Sequence, residues 1–182
     1  YGMSLWDLIF EQGATPVGVE TYANSRRLEK SFRLQNADLL TEYNLIEAGL
    51  ARPTVKEADF HGKSAYVAQR ELTSQPAYLC TLTMTDNRDK DGVERYPVGI
   101  CPIVDPDSGE VLVDALGRRS YTTSIAFGPS VGKNIALAYL PKDYAEEGRE
   151  LLLEYFDEPF PVKVEAVGCK GLYDPENLLP RQ

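Results

Sequence analysis

The chain is short of the residues that metal sites and nucleophilic enzymes need. It has one histidine, His61, and three cysteines, Cys80, Cys101 and Cys169, which lie far apart with no CxxC spacing. These residues do not form the pattern of a structural zinc site, a Ser-His-Asp triad or a Cys-His pair, so we predict no catalytic and no metal-binding residue. Scattered cysteines of odd number are typical of reduced, buried thiols, which predicts a cytoplasmic or organelle-matrix location.

Basic residues and long apolar runs are also scarce. The chain has 19 basic and 28 acidic residues, giving a formal net charge of -9. This balance disfavours binding to nucleic-acid phosphates or to anionic membrane surfaces. No apolar run approaches the roughly 20 residues that cross a bilayer. We therefore expect neither a nucleic-acid nor a membrane partner, while a hydrophobic content of 43% predicts a packed core.

The stretch SIAFGPSVGKNIALAYL, residues 124–140, looks at first like a phosphate-binding loop. Gly128 and Gly132 are separated by three residues rather than four, and Asn134 follows Lys133 where such a loop needs Ser or Thr. Pro129 also removes a backbone N–H that a phosphate cradle would use. Because apolar segments flank the glycines, the stretch predicts a wide turn between two strands.

The remainder of the second part of the chain alternates like a set of strands. AYLCTLTM, residues 77–84, places Tyr78, Cys80, Leu82 and Met84 on one face. We predict further strands in YPVGICPIVD, VLVDAL and RELLLEYFDEPFPVKVEAV, the last with an edge or bend at its prolines. Strands at this spacing predict a small antiparallel barrel or sandwich, with a domain boundary near 71–75.

The first third is helical in character. A Ser-x-x-Asp pattern at Ser4 and Asp7 predicts a capped helix over residues 4–10 with Trp6 in the core, and a second helix is predicted over 62–72. A third helical pattern over 17–34 carries Arg26 and Arg27 where apolar residues would continue its buried face. Either one arginine extends to solvent along its aliphatic stem, or it remains in a cleft to meet a carboxylate.

Three segments, in this order, carry a resemblance to a known family. They are SRRLEKS (residues 25–31), LIEAGLARPTVKEADFHGKSA (residues 45–65) and the 124–140 stretch. They resemble the C-terminal half of the glycine-cleavage T-protein, or aminomethyltransferase, family, which includes the folate-binding tails of dimethylglycine and sarcosine dehydrogenases. The resemblance implies an α+β fold: the helical end of a folate-binding domain, residues 1–72, followed by a small antiparallel β-barrel, residues 73–182.

The resemblance also implies tetrahydrofolate as cofactor and three contact residues. Arg27 matches the arginine of the family's Leu-Arg-Leu-Glu motif and would meet a folate carboxylate, with Glu29 binding the ligand or holding Arg27. Tyr22 would stack on a ring, or pack in the core instead. Arg118 and Arg119 would add local positive charge or occupy a solvated turn. Two positions depart from the family: Arg26 stands where the family has an apolar residue, and Ser31 where it has Gly.

The implied activity is transfer of an aminomethyl or methyl unit from an amine or related donor to tetrahydrofolate. The family's catalytic aspartate and much of its pterin pocket belong to an N-terminal half that has no counterpart among these residues. The chain begins at Tyr1, so we expect a companion N-terminal half or chain as partner, and no activity without it. Two alternatives stay open: the tail of a dimethylglycine or sarcosine dehydrogenase-type flavoprotein, and a noncatalytic barrel for assembly.

Overall fold

The computed structural model describes residues 1–168 and 170–179, so Cys169 lies outside the described residues. The predicted α+β fold is confirmed: short helices precede a curled, antiparallel, six-stranded sheet. Its strands are β1 (Ala77–Met84), β2 (Ile103–Val104), β3 (Thr122–Gly128), β4 (Lys133–Pro141), β5 (Glu150–Tyr155) and β6 (Glu158–Val167). Their order in the sheet is β2-β5-β6-β1-β4-β3.

Strand β1 is central and is buried on both faces. The predicted alternation holds: Cys80, Leu82 and Met84 enter the larger core cluster, inside the curl of the sheet. The opposite face carries Ala77 and Leu79, which belong to a second cluster. Thr81 pairs with Ala166 and Leu82 with Val164, so β6 carries one extra residue, Glu165, at this point. This bulge in β6 increases the local twist that a curled sheet needs.

Residues 101–122 link the two ends of the sheet. Pro102 forms an antiparallel bridge with Tyr121, and the Thr122 amide donates to the Cys101 carbonyl at 2.8 Å. The predicted strand VLVDAL is wrong, since Val111 and Val113 form only single bridges. The reason is local: the Asp114 carboxylate accepts the amides of residues 116 and 118, which folds the chain into a turn.

The proline-bearing strand β6 lies inside the sheet rather than at its edge. It pairs with β5 over residues 158–163 and with β1 only from Val162 onward. Pro159 and Pro161 therefore precede the section that is paired on both sides, so their missing N–H groups cost no bond to β1. The edge predicted from these prolines is correct only for this first part of the strand.

The helices are α1 (Gly2–Glu11), a π-helical turn (Thr21–Arg26) that continues into α2 (Arg27–Glu29), α3 (Lys63–Glu71) and a 3₁₀ turn (Lys142–Tyr144). Helix α3 confirms the predicted helix at 62–72. The predicted cap at Ser4 is wrong, because α1 begins at Gly2 without a side-chain cap. Trp6 is 52% exposed, not in the core. Within the described ranges, no helix combines the length and apolarity that a bilayer crossing requires.

A segment of the first third, residues 28–48, seals the outer face of the sheet. Leu28 and Ala48 pack with Leu79, Leu137 and Tyr139 in the second cluster. The Leu79 amide donates to the Glu47 carbonyl at 2.8 Å, which ties this segment to β1 by a backbone hydrogen bond. The segment and the barrel thus share a core, and the boundary near 71–75 stays a prediction.

Candidate functional site

Arg27, the first predicted site residue, lies between the helical turn, the following loop and strand β3. Its side chain is 10% exposed. All five guanidinium N–H groups find acceptors in the chain: the Ala23 carbonyl, the Phe32 carbonyl (3.2 Å), Asp38 Oδ2 (2.7 Å), Asn24 Oδ1 (3.3 Å) and Ser124 Oγ (2.7 Å). Arg27 therefore stays inside and meets a carboxylate, as one of the two sequence interpretations required, but that carboxylate belongs to the chain itself.

Asp38 is the carboxylate that pairs with Arg27, and its side chain is fully buried. Its Oδ2 also accepts the Leu34 amide at 2.8 Å, and its Oδ1 accepts the Thr123 hydroxyl at 2.5 Å. Its backbone carbonyl accepts the Tyr139 hydroxyl at 2.8 Å. A buried charge needs both a counter-charge and hydrogen bonds, and Asp38 has both. The pair fixes the 28–48 segment on the sheet.

Glu29 is also buried, and the glycine turn of residues 128–132 holds its carboxylate. The Ser130 amide donates to Glu29 Oε1 at 2.6 Å, and Arg26 Nη1 reaches Glu29 Oε2 at 3.1 Å and Ser130 Oγ at 2.6 Å. A Cβ on Gly128 would stand 3.1 Å from Glu29 Cγ. The turn that resembles a phosphate loop thus binds an anion, but the anion is the side chain of Glu29.

Tyr22 lies on the outside of the same helical turn and is 79% exposed. Tyr22 therefore does not pack in the core, which was the alternative to its stacking on a ligand ring. The π-helical turn is wider than an α-helix, a feature often found at functional sites. Arg27 supports this turn by donating to the Ala23 carbonyl within it. The structure thus buries Arg27 and Glu29 in separate sets of contacts, with Glu29 paired to Arg26 rather than to Arg27. The Tyr22 ring is left exposed.

A second buried ion cluster was missed by the sequence analysis. Arg118 Nη2 contacts Glu47 Oε1 at 2.5 Å, and its Nε contacts Asp114 Oδ2 at 2.6 Å. Its guanidinium lies 4.3 Å from the ring centroid of Tyr43, which stacks on Tyr139 with centroids 3.6 Å apart. The solvated turn predicted for residues 118–119 is therefore wrong for Arg118, whereas Arg119 is exposed.

The electrostatics of this cluster follow from burial and pairing. Burial alone would lower the pKa of Arg118, but hydrogen bonds to Glu47 and Asp114 outweigh it and raise the pKa above its ordinary value. Burial raises the pKa of Tyr43 and of Tyr139, so both phenols stay neutral at physiological pH. Arg118 therefore keeps its positive charge and joins the 28–48 segment, through Glu47, to the barrel, through Asp114.

A cleft of about 620 Å³ lies between residues 43–56 and helix α3. Leu45, Leu50 and Phe60 line it, together with the cationic side chains of Arg52 and Lys56. His61 is at its margin and is exposed. Among residues 1–168 and 170–179, no three His, Cys, Asp or Glu side chains are grouped so that they could hold a metal ion.

The fold and the site together define a β-barrel module with a helical segment bound to its outer face by buried ion pairs. Residues 95–168 match the family model described as the glycine cleavage T-protein C-terminal barrel domain. The barrel of this chain therefore matches a known domain family over these residues, and the resemblance seen in the sequence is confirmed.

Full-length relatives extend this similarity into the helical part. Dimethylglycine dehydrogenase of Rattus norvegicus is 29% identical over 157 residues, which cover 85% of this chain and 16% of the relative. An aminomethyltransferase of Thermosynechococcus vestitus is 27% identical over 175 residues, covering 90% of this chain and 40% of the relative. The chain therefore spans well under half the length of these relatives.

The fold is also found in a solved structure. The crystal structure of glycine cleavage system aminomethyltransferase T from Bartonella henselae superposes with a TM-score of 0.62 at 22% identity. The match covers 79% of this chain and 36% of that one. At this identity the match establishes a shared fold.

Proposed function

We propose that the chain is part of a tetrahydrofolate-dependent one-carbon transferase, which moves an aminomethyl or methyl unit from an amine or related donor to the folate. The observation that carries this proposal is the similarity of 85–90% of the chain to both an aminomethyltransferase and a dimethylglycine dehydrogenase. The ordered motifs at residues 25–31, 45–65 and 124–140 support it. The chain would supply one wall of the folate site and the barrel behind that wall.

The residues around the π-helical turn fit a planar, anionic ligand in two respects. Tyr22 offers an exposed aromatic face for stacking on a heterocycle. The Arg26 side chain is 53% exposed, and its hydrogen bonds to Glu29 and Ser130 within the described residues are both made through Nη1. A half-exposed guanidinium beside an exposed ring suits a ligand that carries both a ring and carboxylates.

Arg27 and Glu29 remain the proposed contacts derived from the family motif. A folate carboxylate reaching Arg27 would displace the acceptors with the longest distances, Asn24 Oδ1 at 3.3 Å or the Phe32 carbonyl at 3.2 Å, and leave the Asp38 pair intact. Glu29 is engaged by Arg26 and the Ser130 amide, so its first role is to orient Arg26. Tetrahydrofolate would supply the nucleophilic nitrogen, and these residues would bind and orient it.

The chain alone is proposed to be inactive. Transfer of the one-carbon unit from its donor to a folate nitrogen needs a protein group that moves a proton at the reacting atoms. The carboxylates nearest the predicted site, Asp38 and Glu29, are buried and already paired with Arg27 and Arg26. A second polypeptide segment, corresponding to the N-terminal part of the relatives, is therefore proposed to supply this group and the rest of the pocket.

Two other assignments are kept for stated reasons. The similarity to dimethylglycine dehydrogenase favours a folate-binding tail of a flavoprotein, and a flavin-binding segment upstream in the reading frame would distinguish it from a transferase. Full engagement of the Arg27 guanidinium within the chain favours a noncatalytic barrel used for assembly. That second assignment predicts that tetrahydrofolate does not bind in any context.

Calorimetric titration of tetrahydrofolate tests the proposal. It is run on this chain and on the longer protein encoded by the complete reading frame. Tyr22→Ala is the sharpest variant, because the ring is exposed and its loss does not disturb the core. We expect it to weaken binding about tenfold, the loss of one stacking contact of about 1–1.5 kcal/mol. Arg119→Ala, which removes an exposed arginine elsewhere, is the matched control and should bind normally.

A longer protein that gives no heat of binding with tetrahydrofolate would overturn the proposal in favour of the assembly module. Equal binding by wild type, Tyr22→Ala and Arg26→Ala would instead place the folate away from this turn. Arg27→Ala is a less direct test, because it also breaks the buried pair with Asp38.

A further inference from the structure

Helix α1 carries six large apolar side chains, and each is at least half exposed. They are Met3, Leu5, Trp6, Leu8, Ile9 and Phe10. No residue of the helix is buried, although the Trp6 and Phe10 rings stack with centroids 6.1 Å apart. An isolated helix of ten residues is marginal in water, and apolar surface of this extent marks a contact surface.

The arrangement of these side chains specifies the shape of what covers them. Ser4, Asp7 and Glu11 recur at helical spacing and share one narrow polar face. At 3.6 residues per turn, the six apolar positions occupy an arc of about 220° around the remaining circumference. A flat surface covers only one stripe of such a helix. The occupant must therefore be a groove that encloses more than half of it and leaves the polar face in water.

The similarity to longer proteins identifies the occupant. The chain covers 40% of the Thermosynechococcus relative, and the matched domain is described as C-terminal, so most of the remaining length precedes it. Polypeptide joined ahead of residue 1 would be tethered to the first turn of α1, at high effective concentration. A second copy is a poorer match, because a helix pair buries only a seam on each helix.

We propose that α1 docks, through the arc centred on Ile9, in an apolar groove of the polypeptide that precedes this chain in the longer protein. The proposal rests on the proposed function only in expecting that longer protein. Asp7 and Glu11 would face the groove rim or solvent, where a basic side chain of the partner segment would suit them.

Trp6 is the only tryptophan in the chain and is therefore a built-in reporter. Its emission and iodide quenching are compared in this chain and in the longer protein, in which any other tryptophan is replaced by Phe. We expect red-shifted, quenchable emission in the chain alone, and blue-shifted emission with loss of quenching in the longer protein. Protection of the buried Cys80 thiol from alkylation, measured in the same samples, reports that the barrel is folded.

Two lysine substitutions in the longer protein separate docking from general effects. Ile9→Lys places a charge at the centre of the apolar arc and should restore iodide quenching while Cys80 stays protected. Glu11→Lys places the same side chain on the polar face and should leave quenching suppressed.

The proposal would be overturned if Trp6 were equally quenchable in both proteins, or if quenching were already suppressed in the chain alone at low concentration. It would also be overturned if suppression appeared together with a doubling of mass, because two copies would then be covering each other. Equal effects of Ile9→Lys and Glu11→Lys on quenching would contradict it as well. A reading frame with no polypeptide ahead of residue 1 would overturn it as well. Since tetrahydrofolate is absent from the assay, its outcome is independent of folate binding.

Discussion

Strand β1 and helix α1 are both rich in apolar side chains, but only one of them is covered. On β1, Leu79 and Leu82 face opposite sides of the sheet and both are fully buried. On α1, no side chain is buried. The sheet has two covers, the curl of its own strands and the 28–48 segment, whereas α1 has none within the described residues. The barrel together with the 28–48 segment therefore buries its own apolar residues, whereas the first helix needs a partner.

The largest expected effect on the free energy of unfolding comes from the ion pair that holds the 28–48 segment on the sheet. Asp38→Ala removes the counter-charge of Arg27 and the acceptor of the Thr123 hydroxyl. Because a buried guanidinium is left unpaired, we expect the free energy of unfolding to fall by about 3–5 kcal/mol in urea denaturation. Asp91→Ala, at an exposed loop position, is the control and should change it by less than about 0.5 kcal/mol. Similar losses of unfolding free energy in both variants would mean that the Arg27–Asp38 pair does not anchor the 28–48 segment.

The same substitution in the two regions sharpens the comparison. Leu79→Ala creates a cavity in a buried cluster and should cost about 2–5 kcal/mol of unfolding free energy. Leu5→Ala on α1, where the side chain is more than half exposed, should cost less than about 0.5 kcal/mol in this chain. Thermal or urea denaturation of the two variants checks this. A comparable cost for Leu5→Ala would show that α1 is packed on the barrel.

A smaller effect is expected at Ser31, where the resemblance implies Gly. Ser31 has a φ of 57°, in the left-handed region, and its buried hydroxyl lies 3.0 Å from Thr81 Oγ1. Ala and Gly substitutions both remove this contact, but only Gly relieves the backbone. We therefore expect Ser31→Gly to be more stable than Ser31→Ala by about 1 kcal/mol in denaturation experiments. Equal stability of the two variants would contradict a strained backbone at this position.

The smallest effect concerns the segment after the barrel. Lys30 Nζ donates to Asp174 Oδ2 at 2.9 Å, and this hydrogen bond lowers the pKa of the Asp174 carboxyl. A lowered folded pKa gives stabilisation that is present above the unfolded pKa and lost as pH falls through the folded value. The contact should therefore persist at pH 5 and be lost only below about pH 4. The NMR shift of the Gly171 amide, followed against pH, checks this; a midpoint above the ordinary Asp range would contradict it.

Local patterns in the sequence predicted the elements whose residues are close in sequence. The alternation of residues 77–84, the β3–β4 hairpin with its glycine turn and helix α3 all depend on short-range periodicity. The anchoring pairs could not be predicted in this way. Arg27 and Ser124 are 97 residues apart, and Arg118 and Glu47 are 71 apart, so only the fold brings them together. The only local signal for Asp38 was its position directly between Ala37 and Leu39.

The prediction for Trp6 failed for a different reason. The pattern of α1 correctly indicates a helix with a large apolar surface, and such a surface is normally buried within the same domain. Here the residues that would bury it are not in the described chain. The folate contacts predicted at Arg27, Glu29 and Tyr22 likewise stay predictions, although the structure gives each a defined position to test.

Native-state hydrogen exchange on the isolated chain tests the difference between the two regions most directly. We expect amides of β1, β4 and β6, including that of Leu79 bonded to Glu47, to exchange only through global unfolding. Amides of α1 should exchange nearly as fast as those of an unstructured peptide. Protection of α1 equal to that of the central strands would contradict this expectation, because α1 would then have a cover within this chain.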